Sequence, residues 1–194
     1  MLKKTFYAAA VLAFTVTLAL PQGKGGGKGA PKGPGMALSS PDFQDGGIIP
    51  DKYTQAVPMP VSPQLEWANV PANTESFVLI MHDPDNALNK GTDDVLHWMA
   101  FNIPGTARSL PGGMSADATL PDGTIQAKNL RGTPGYMGPG NAAINPYHHY
   151  TWELYALDSK LMLGPDATRA DVMKAMEGHT VGKAVLSARF KRTS

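Results

Sequence analysis

The sequence predicts a mainly β protein with a β-sandwich architecture. Segments of strand length, either continuously apolar or alternating, recur between turns rich in Gly and Pro, and only one segment near the C-terminus carries the signals of an α-helix. The 194 residues include 21 Gly and 17 Pro, which favours many short strands joined by turns. Such strands bury their apolar faces by packing sheet on sheet.

The first 38 residues are predicted to lie outside this fold. Lys3 and Lys4 precede an almost uncharged apolar run over residues 5–20, which is typical of a secretory signal peptide and short for a membrane-spanning helix. Residues 21–38 are mostly Gly, Lys and Pro and predict a flexible linker, because they bury too little apolar surface to offset the entropy of ordering. We therefore expect a folded domain at 39–194 in a secreted or periplasmic protein, which stays membrane-anchored if the signal segment at 1–20 is not cleaved.

Composition excludes several classes of function. The chain contains no Cys, which rules out disulfides, Cys-ligated metals, a Cys nucleophile and a lipid anchor on an N-terminal Cys. The formal net charge is +1, and the predicted domain has no basic patch interleaved with aromatic residues, so we expect no nucleic-acid partner. The domain is long enough to be held together by its own core.

The start of the predicted domain is rich in turns. Residues 41–50 are polar, and three prolines between residues 58 and 63 allow only an edge strand or a loop there. Residues 65–67 form a short strand candidate. No internal repeat is visible.

Residues 76–81 predict a central strand that ends at a carboxylate. The segment is continuously apolar, as expected for a strand buried on both faces. Because Pro84 cannot continue the strand ladder, Asp83 lies at the strand's end, on the face of Phe77 and Met81. It serves there either as a pocket carboxylate or as an Asx-type turn that binds loop N–H groups.

The next predicted strand, residues 95–101, carries a histidine. Alternation places three apolar residues on the same face as His97: Val95, Met99 and Phe101. A histidine on an apolar face is commonly a hydrogen-bonded core residue, but Asp83 is expected at the end of the neighbouring strand. Both interpretations, a core histidine and a functional one, stay open on the sequence.

The segment from residue 135 to residue 158 carries the strongest signal for a site. A loop rich in Gly and Pro at 135–140 lets the backbone approach a ligand closely, and a strand rich in aromatic and branched residues follows. Alternation places four residues of that strand on one face, the polar pair at its mouth and the apolar pair deeper: His148, Tyr150, Trp152 and Leu154. This arrangement predicts a small binding pocket on a sheet.

The C-terminal part contains the predicted helix and the last strand. Thr168 with Asp171 three residues later resembles a helix N-terminal cap, and Gly178 is a stop signal. Residues 181–190 then predict a closing strand. One face of that strand carries Ala184, Leu186, Ala188 and Phe190.

Three kinds of chemistry fit these polar residues. In an anion pocket, His97, His148 and Tyr150 donate hydrogen bonds, and the N–H groups of the 138–140 loop help to cradle a phosphate. A metal site would use two His and a carboxylate, although no His-x-His or His-x-x-x-His spacing supports it. Acid–base hydrolysis by a His–Asp pair lacks an obvious nucleophile, since there is no Cys and no Gly-x-Ser-x-Gly elbow.

Four motifs follow one another along the chain. They are Asp83-Pro84-Asp85, His97-Trp98 with Asn102-Ile103-Pro104, Gly135-Tyr136-Met137-Gly138, and His148-His149-Tyr150 with Leu154-Tyr155-Ala156-Leu157-Asp158. Together they resemble the phosphatidylethanolamine-binding protein family, most closely its bacterial Raf-kinase-inhibitor-like branch, over about residues 41–192. The resemblance implies an antiparallel β-sandwich with a few short helices. It also implies a small, pre-formed pocket for phosphate-type anions and phospholipid head groups.

The resemblance also assigns the pocket residues. By motif position these are the family's pocket aspartate, its buried histidine, the glycine whose N–H faces the anion, and the His and Tyr of a His-Arg-Tyr motif: Asp83, His97, Gly140, His148 and Tyr150. His149 stands where arginine is usual. Other departures are Asn141-Ala142 in place of Pro-Pro, Asn86-Ala87 in place of Ala-Pro, and Val95 in place of a rim tryptophan.

The expected function is that of an exported, non-enzymatic binding protein without catalytic residues, metal or cofactor. Its expected partner is a phosphate-containing small molecule or a phospholipid head group. An alternative of another class is a protein-interaction role, as an inhibitor or modulator of a kinase or protease. A cryptic hydrolase is the third hypothesis, and a homodimer is left open.

Overall fold

The computed structural model describes residues 34–193. The predicted signal peptide and residues 21–33 of the predicted linker lie outside the described residues. Within 34–193 no helix combines the length and the hydropathy that crossing a bilayer requires. This part of the chain contains eight strands, one α-helix and two short 3-10 helices.

The strands form two antiparallel sheets, which confirms the predicted mainly β architecture. In chain order they are β1 (Ala37–Ser39), β2 (Leu65–Ala68), β3 (Ser76–Asp83), β4 (Val95–Pro104), β5 (Ser109–Leu110), β6 (Ile125–Gln126), β7 (His148–Leu157) and β8 (Thr180–Phe190). The smaller sheet has the order β1-β2-β5, and the larger sheet has the order β6-β4-β3-β7-β8. All paired strands run antiparallel.

The main core lies between the two sheets. Leu65 and Trp67 of β2 pack there against the inward faces of β3, β7 and β8. The alternation predicted for β8 is confirmed, since its four inward residues all belong to this core: Ala184, Leu186, Ala188 and Phe190. Leu38 is also buried in it, which is why β1 begins at Ala37, two residues before the predicted domain start at 39.

A second apolar cluster covers the other face of the larger sheet. Val78 and Ile80 of β3 pack there with Val172 and Met176. Because β3 also contributes to the core between the sheets, it is buried on both faces, as predicted for a central strand.

The α-helix that covers this cluster is α1 (Arg169–Ala175). Its predicted N-terminal cap is present. The Thr168 hydroxyl accepts the backbone N–H of Asp171, and the Asp171 carboxylate accepts the N–H of Thr168. This reciprocal pair satisfies two N–H groups that a helix otherwise leaves free at its start. The two 3-10 helices are Asp51–Tyr53 and Leu88–Lys90.

A β-bulge in β4 determines where His97 points. Met81 pairs with Trp98 and His82 pairs with Leu96, so the register shifts across His97. The extra residue breaks the alternation. Met99 lies in the cluster on the outer face, whereas the ring of His97 contacts Tyr150 of β7 at a centroid distance of 5.1 Å. The prediction that His97 shares a face with Met99 and Phe101 is therefore wrong, because the bulge turns His97 towards the other side of the sheet.

Candidate functional site

A cavity of about 400 Å³ opens at one end of the larger sheet. Here β3 ends next to the starts of its neighbours β4 and β7, and the loop that precedes β7 forms part of the wall. The structure brings all five predicted site residues together on this cavity: Asp83, His97, Gly140, His148 and Tyr150. That they bind a ligand stays a prediction.

Asp83 lies at the centre of the polar wall and is 1% exposed. One carboxylate oxygen accepts the backbone N–H of Asp85 at 3.0 Å, and the other accepts the side-chain amide of Asn86 at 2.8 Å and Nδ1 of His148 at 2.8 Å. A buried carboxylate is costly unless such donors surround it. Asp83 therefore closes the predicted Asx-type turn and also lines the cavity, and its role as a pocket carboxylate stays a prediction.

His97 presents one ring nitrogen to the cavity. Its Nδ1 lies 2.8 Å from the carbonyl oxygen of Met137, and because a carbonyl only accepts hydrogen bonds, Nδ1 carries the proton. Burial lowers the pKa of His97, although this hydrogen bond and the nearby Asp83 act in the opposite direction. The ring is thus neutral at neutral pH, and Nε2 is left as an acceptor.

Tyr150 adds a hydroxyl that stays protonated. Burial and the adjacent Asp83 carboxylate raise the pKa of Tyr150, and the N–H groups of Gly140 and Asn141 partly oppose this shift. The phenol is therefore neutral over the physiological range and can both donate and accept a hydrogen bond. Its ring packs edge-on against His97 at an interplanar angle of 83°, which fixes the orientation of both rings.

Position 140 requires glycine because its backbone lies close to the side chain of Gln55. A Cβ atom at this position would lie 2.6 Å from Nε2 of Gln55, far inside van der Waals contact. Gln55 is itself held in place, since Nε2 donates to the carbonyl of Gly138 at 2.7 Å and Oε1 accepts from Arg131 at 2.6 Å. The glycine lets the loop close over the Gln55 side chain.

Several lining residues were not predicted. They are Gln55, Asn86, Val95, Leu130, Arg131, Met137, Asn141, Ala142 and Asn145. Asn141, one of the departures from the family pattern, is buried and bridges the loop, because it donates to the carbonyl of Pro146 at 2.7 Å and accepts from Asn145 at 2.8 Å. Asn86 directly follows the Asp83-Pro84-Asp85 motif, so its position in the sequence indicated a place near the site. Gln55 and Arg131 reach the cavity from distant loops, and no sequence pattern indicated them.

His149 does not line the cavity. Its side chain is 53% exposed, and both its backbone N–H and its Nδ1 are hydrogen-bonded to the carboxylate of Asp85. This pair ties the loop after β3 to the first residues of β7. His149 therefore has a positional role at the edge of the site.

The residues that line the cavity are also relevant to the two other kinds of chemistry considered above, acid–base hydrolysis and metal binding. They include no Ser, Thr or Lys, the residues besides Cys that most often act as covalent nucleophiles. Across residues 34–193, no group of three or more His, Asp or Glu side chains is arranged to hold a metal ion. The cavity offers mainly hydrogen-bonding groups on an apolar support.

Comparisons with known proteins agree with this fold. The family model described as phosphatidylethanolamine-binding protein matches residues 39–191. A UPF0098 protein of Methanothermobacter thermautotrophicus is 40% identical over 81% of this chain and 99% of that protein. YbhB of Escherichia coli, another UPF0098 protein, is 31% identical over 80% of this chain and 99% of its own length.

A solved structure extends the likeness to three dimensions. Escherichia coli YbcL, whose structure is presented as a new member of the mammalian PEBP family, superposes with a TM-score of 0.70 at 25% identity, over 81% of this chain and 98% of that chain. The family match covers strands β2 to β8 and all five predicted pocket positions. The motifs, the fold and these relatives agree that the chain belongs to the phosphatidylethanolamine-binding protein family, in the bacterial branch that includes YbhB and YbcL.

Proposed function

We propose that this chain is an exported, non-enzymatic binding protein whose cavity takes the phosphate group of a small phosphorylated molecule or of a phospholipid head group. The observation that carries the proposal is the convergence of two histidines, a tyrosine and a glycine-containing loop on one cavity of about 400 Å³. That volume suits a small ligand, since ligand pockets commonly measure about 300–1,000 Å³. Hydrogen bonds among Asp83, Asn86 and His148 hold these side chains in place, so little ordering is needed on binding.

The absence of Ser, Thr and Lys from the cavity lining supports binding over catalysis. The His148–Asp83 pair resembles two members of a hydrolytic triad, but in a triad the histidine also accepts a proton from a nucleophile. A turnover assay with phosphoester and carboxylic ester substrates tests this part of the proposal. Hydrolysis that His148→Ala abolishes would overturn it.

Export rests on the apolar run after Lys3 and Lys4. The expected result of cell fractionation is that the full chain is found outside the cytoplasm and that deletion of residues 1–20 retains it inside. Equal distribution of the two forms would contradict export. The alternative function, modulation of a kinase or protease, stays a prediction that a pull-down from the exported fraction tests.

The binding site is tested by truncating one histidine at the cavity and one elsewhere. His148→Ala removes a lining side chain, and we expect phosphorylethanolamine to bind about tenfold more weakly or worse, which corresponds to about 1.4 kcal/mol. The measurement is isothermal titration calorimetry of the purified protein.

The matched control is His179→Ala. His179 also pairs with an aspartate, Asp158, but is 49% exposed and lies at the other end of β7, about 30 Å away along the strand. We expect it to bind phosphorylethanolamine like the unaltered protein. Equal affinity in all three proteins would contradict the proposed site.

A further inference from the structure

We propose that the cavity selects oxyanions that carry a proton, namely inorganic phosphate and phosphate monoesters, over oxyanions with no proton to donate, namely phosphodiesters and sulfate. This inference rests on the proposed function and specifies which phosphate groups the site accepts. It follows from the hydrogen-bonding capacity of three side chains that face the cavity: Asp83, His97 and His148.

His97 offers a ligand a ring nitrogen that accepts a hydrogen bond. Its Nδ1–H is committed to the carbonyl of Met137 at 2.8 Å, so the ring nitrogen left for a ligand is Nε2. In the neutral imidazole this nitrogen has a lone pair and no proton. A ligand oxygen in contact with this nitrogen must therefore carry a proton to donate. Without that proton the lone pairs of the oxygen and the nitrogen repel each other.

The second step concerns His148. Its Nδ1 lies 2.8 Å from the Asp83 carboxylate, which accepts hydrogen bonds, so Nδ1 carries a proton. The side-chain nitrogen of Asn86 is 3.3 Å from the same Nδ1 and donates instead to Asp83 at 2.8 Å. When the ring carries this proton alone, Nε2 of His148 is also an acceptor.

The third step concerns charge. Asp83 is 1% exposed and is hydrogen-bonded to His148, so a fully ionised oxyanion that approaches these side chains meets a buried negative charge and two lone pairs. Leaving such acceptors unpaired on desolvation costs free energy. A P–OH group donates to one of them and also lowers the charge of the ligand.

The cavity also has donors for the remaining ligand oxygens. The lining includes the guanidinium of Arg131 and the side-chain amide of Asn145, both exposed at the rim. The cavity thus offers acceptors at the two histidines and donors at Tyr150, Arg131 and Asn145. A protonated phosphate, which is donor on one oxygen and acceptor on the others, matches both sets of groups.

The candidate ligands differ at neutral pH in whether they carry a proton. A phosphate monoester has a second pKa near 6, so its monoprotonated form is available at little cost. A phosphodiester and sulfate have no proton at this pH. Lipids whose head group is a phosphodiester are therefore disfavoured, and a lipid with a terminal phosphate monoester fits.

The test is a four-ligand calorimetric titration of the purified full chain at neutral pH and constant ionic strength. The probes are inorganic phosphate, sulfate, phosphorylethanolamine and glycerophosphoethanolamine, which is the corresponding phosphodiester. We expect each proton-carrying probe to bind about tenfold or more tightly than its partner without a proton. The phosphate–sulfate pair controls for size, because both are small tetrahedral ions.

Affinities within a factor of about three for both pairs would overturn this inference and leave the proposed function standing, since an imidazolium at His148 would bind all four anions. Absence of binding by all four probes would overturn the proposed function itself.

Asp83→Asn tests the role of the carboxylate directly. The variant replaces a negative charge with an amide, and we expect sulfate to gain affinity until the phosphate-to-sulfate ratio falls about tenfold. A damaged fold does not produce a gain of sulfate binding, so the readout distinguishes selectivity from instability.

The matched control is Asp158→Asn, in the exposed pair with His179, and we expect its phosphate-to-sulfate affinity ratio to be unchanged. An unchanged ratio in Asp83→Asn would contradict the inference, and if this variant does not fold, the four-ligand series decides alone.

Discussion

Two His–Asp pairs lie at opposite ends of β7 and have nearly the same geometry. At the cavity, Nδ1 of His148 lies 2.8 Å from the Asp83 carboxylate, and at the far end Nδ1 of His179 lies 2.9 Å from Asp158. The side chains of the first pair are 11% and 2% exposed, whereas those of the second are 49% and 39% exposed. The hydrogen-bond distances do not distinguish the pairs, but their surroundings do.

Burial changes what such a pair can do. At the exposed end water competes for both partners, so the pair holds neither side chain firmly. At the cavity each partner depends on the other, because a buried polar group without a partner is costly. The buried pair also has a second histidine, His97, and a tyrosine, Tyr150, beside it on the cavity. In this chain the surroundings of the pair, rather than its hydrogen bond, therefore distinguish the candidate site from the exposed end of β7.

The largest expected difference between the two ends is in stability. Asp83→Ala leaves three donors without their acceptor, those of Asp85, Asn86 and His148, and we expect a loss of about 3 kcal/mol, typical of breaking a buried pair. Asp158→Ala is expected to cost less than about 1 kcal/mol. Urea unfolding of both variants measures the difference. Equal losses would show that burial does not distinguish the two pairs.

The second expected difference is in ligand affinity, between alanine variants of two glycines. Gly140→Ala places a methyl group 2.6 Å from Nε2 of Gln55, so the Gln55 side chain must move and release Gly138 and Arg131. We expect phosphorylethanolamine to bind about tenfold more weakly, equivalent to about 1.4 kcal/mol.

Gly164→Ala is the matched control. This glycine lies in the segment between β7 and α1, and a Cβ there meets nothing within 4 Å. Titration calorimetry is expected to give the unaltered affinity. The importance of the close approach at Gly140 would be refuted if both alanine variants bound phosphorylethanolamine like the unaltered protein.

The smallest expected effect is a pH dependence of stability from His97. Burial lowers the pKa of His97 in the folded state below its unfolded value of about 6.5, so the unfolded chain takes up the proton first as the pH falls. This contribution to stability is complete above about pH 6.5 and is lost progressively as the pH falls below that value.

The measurement is the urea midpoint from about pH 7.5 to pH 5.5, a range above the ordinary titration of carboxylates. His97→Asn offers an amide in place of Nδ1–H and cannot titrate, so we expect its midpoint to fall less over this range. A parallel decline in both proteins would assign the pH dependence to other groups.

The sequence predicted much of the framework because the framework follows from local patterns. Alternation in β7 placed His148 and Tyr150 on one face, and the turn chemistry at Pro84 placed Asp83 at the end of a core strand. Both arrangements depend on neighbours along the chain. The motif order then assigned Gly140, whose requirement for glycine the contact with Gln55 explains.

What the sequence did not predict depends on contacts between distant segments. The bulge at His97 is a property of pairing between β3 and β4, and strict alternation within β4 therefore gave the wrong face. Gln55 and Arg131 reach the cavity from separate loops and are linked by a hydrogen bond across 76 positions of the chain. No local pattern predicted the 3-10 helix at Asp51–Tyr53, which precedes the segment that leads to Gln55.

If the cavity at the β3–β7 end binds phosphate, an NMR titration of the labelled protein with phosphorylethanolamine detects the binding residue by residue. We expect shifts concentrated at His97, Gly140, His148 and Tyr150, and unchanged signals at His179. No shifts at millimolar ligand, or shifts at His179 as large as those at His148, would contradict binding at this cavity.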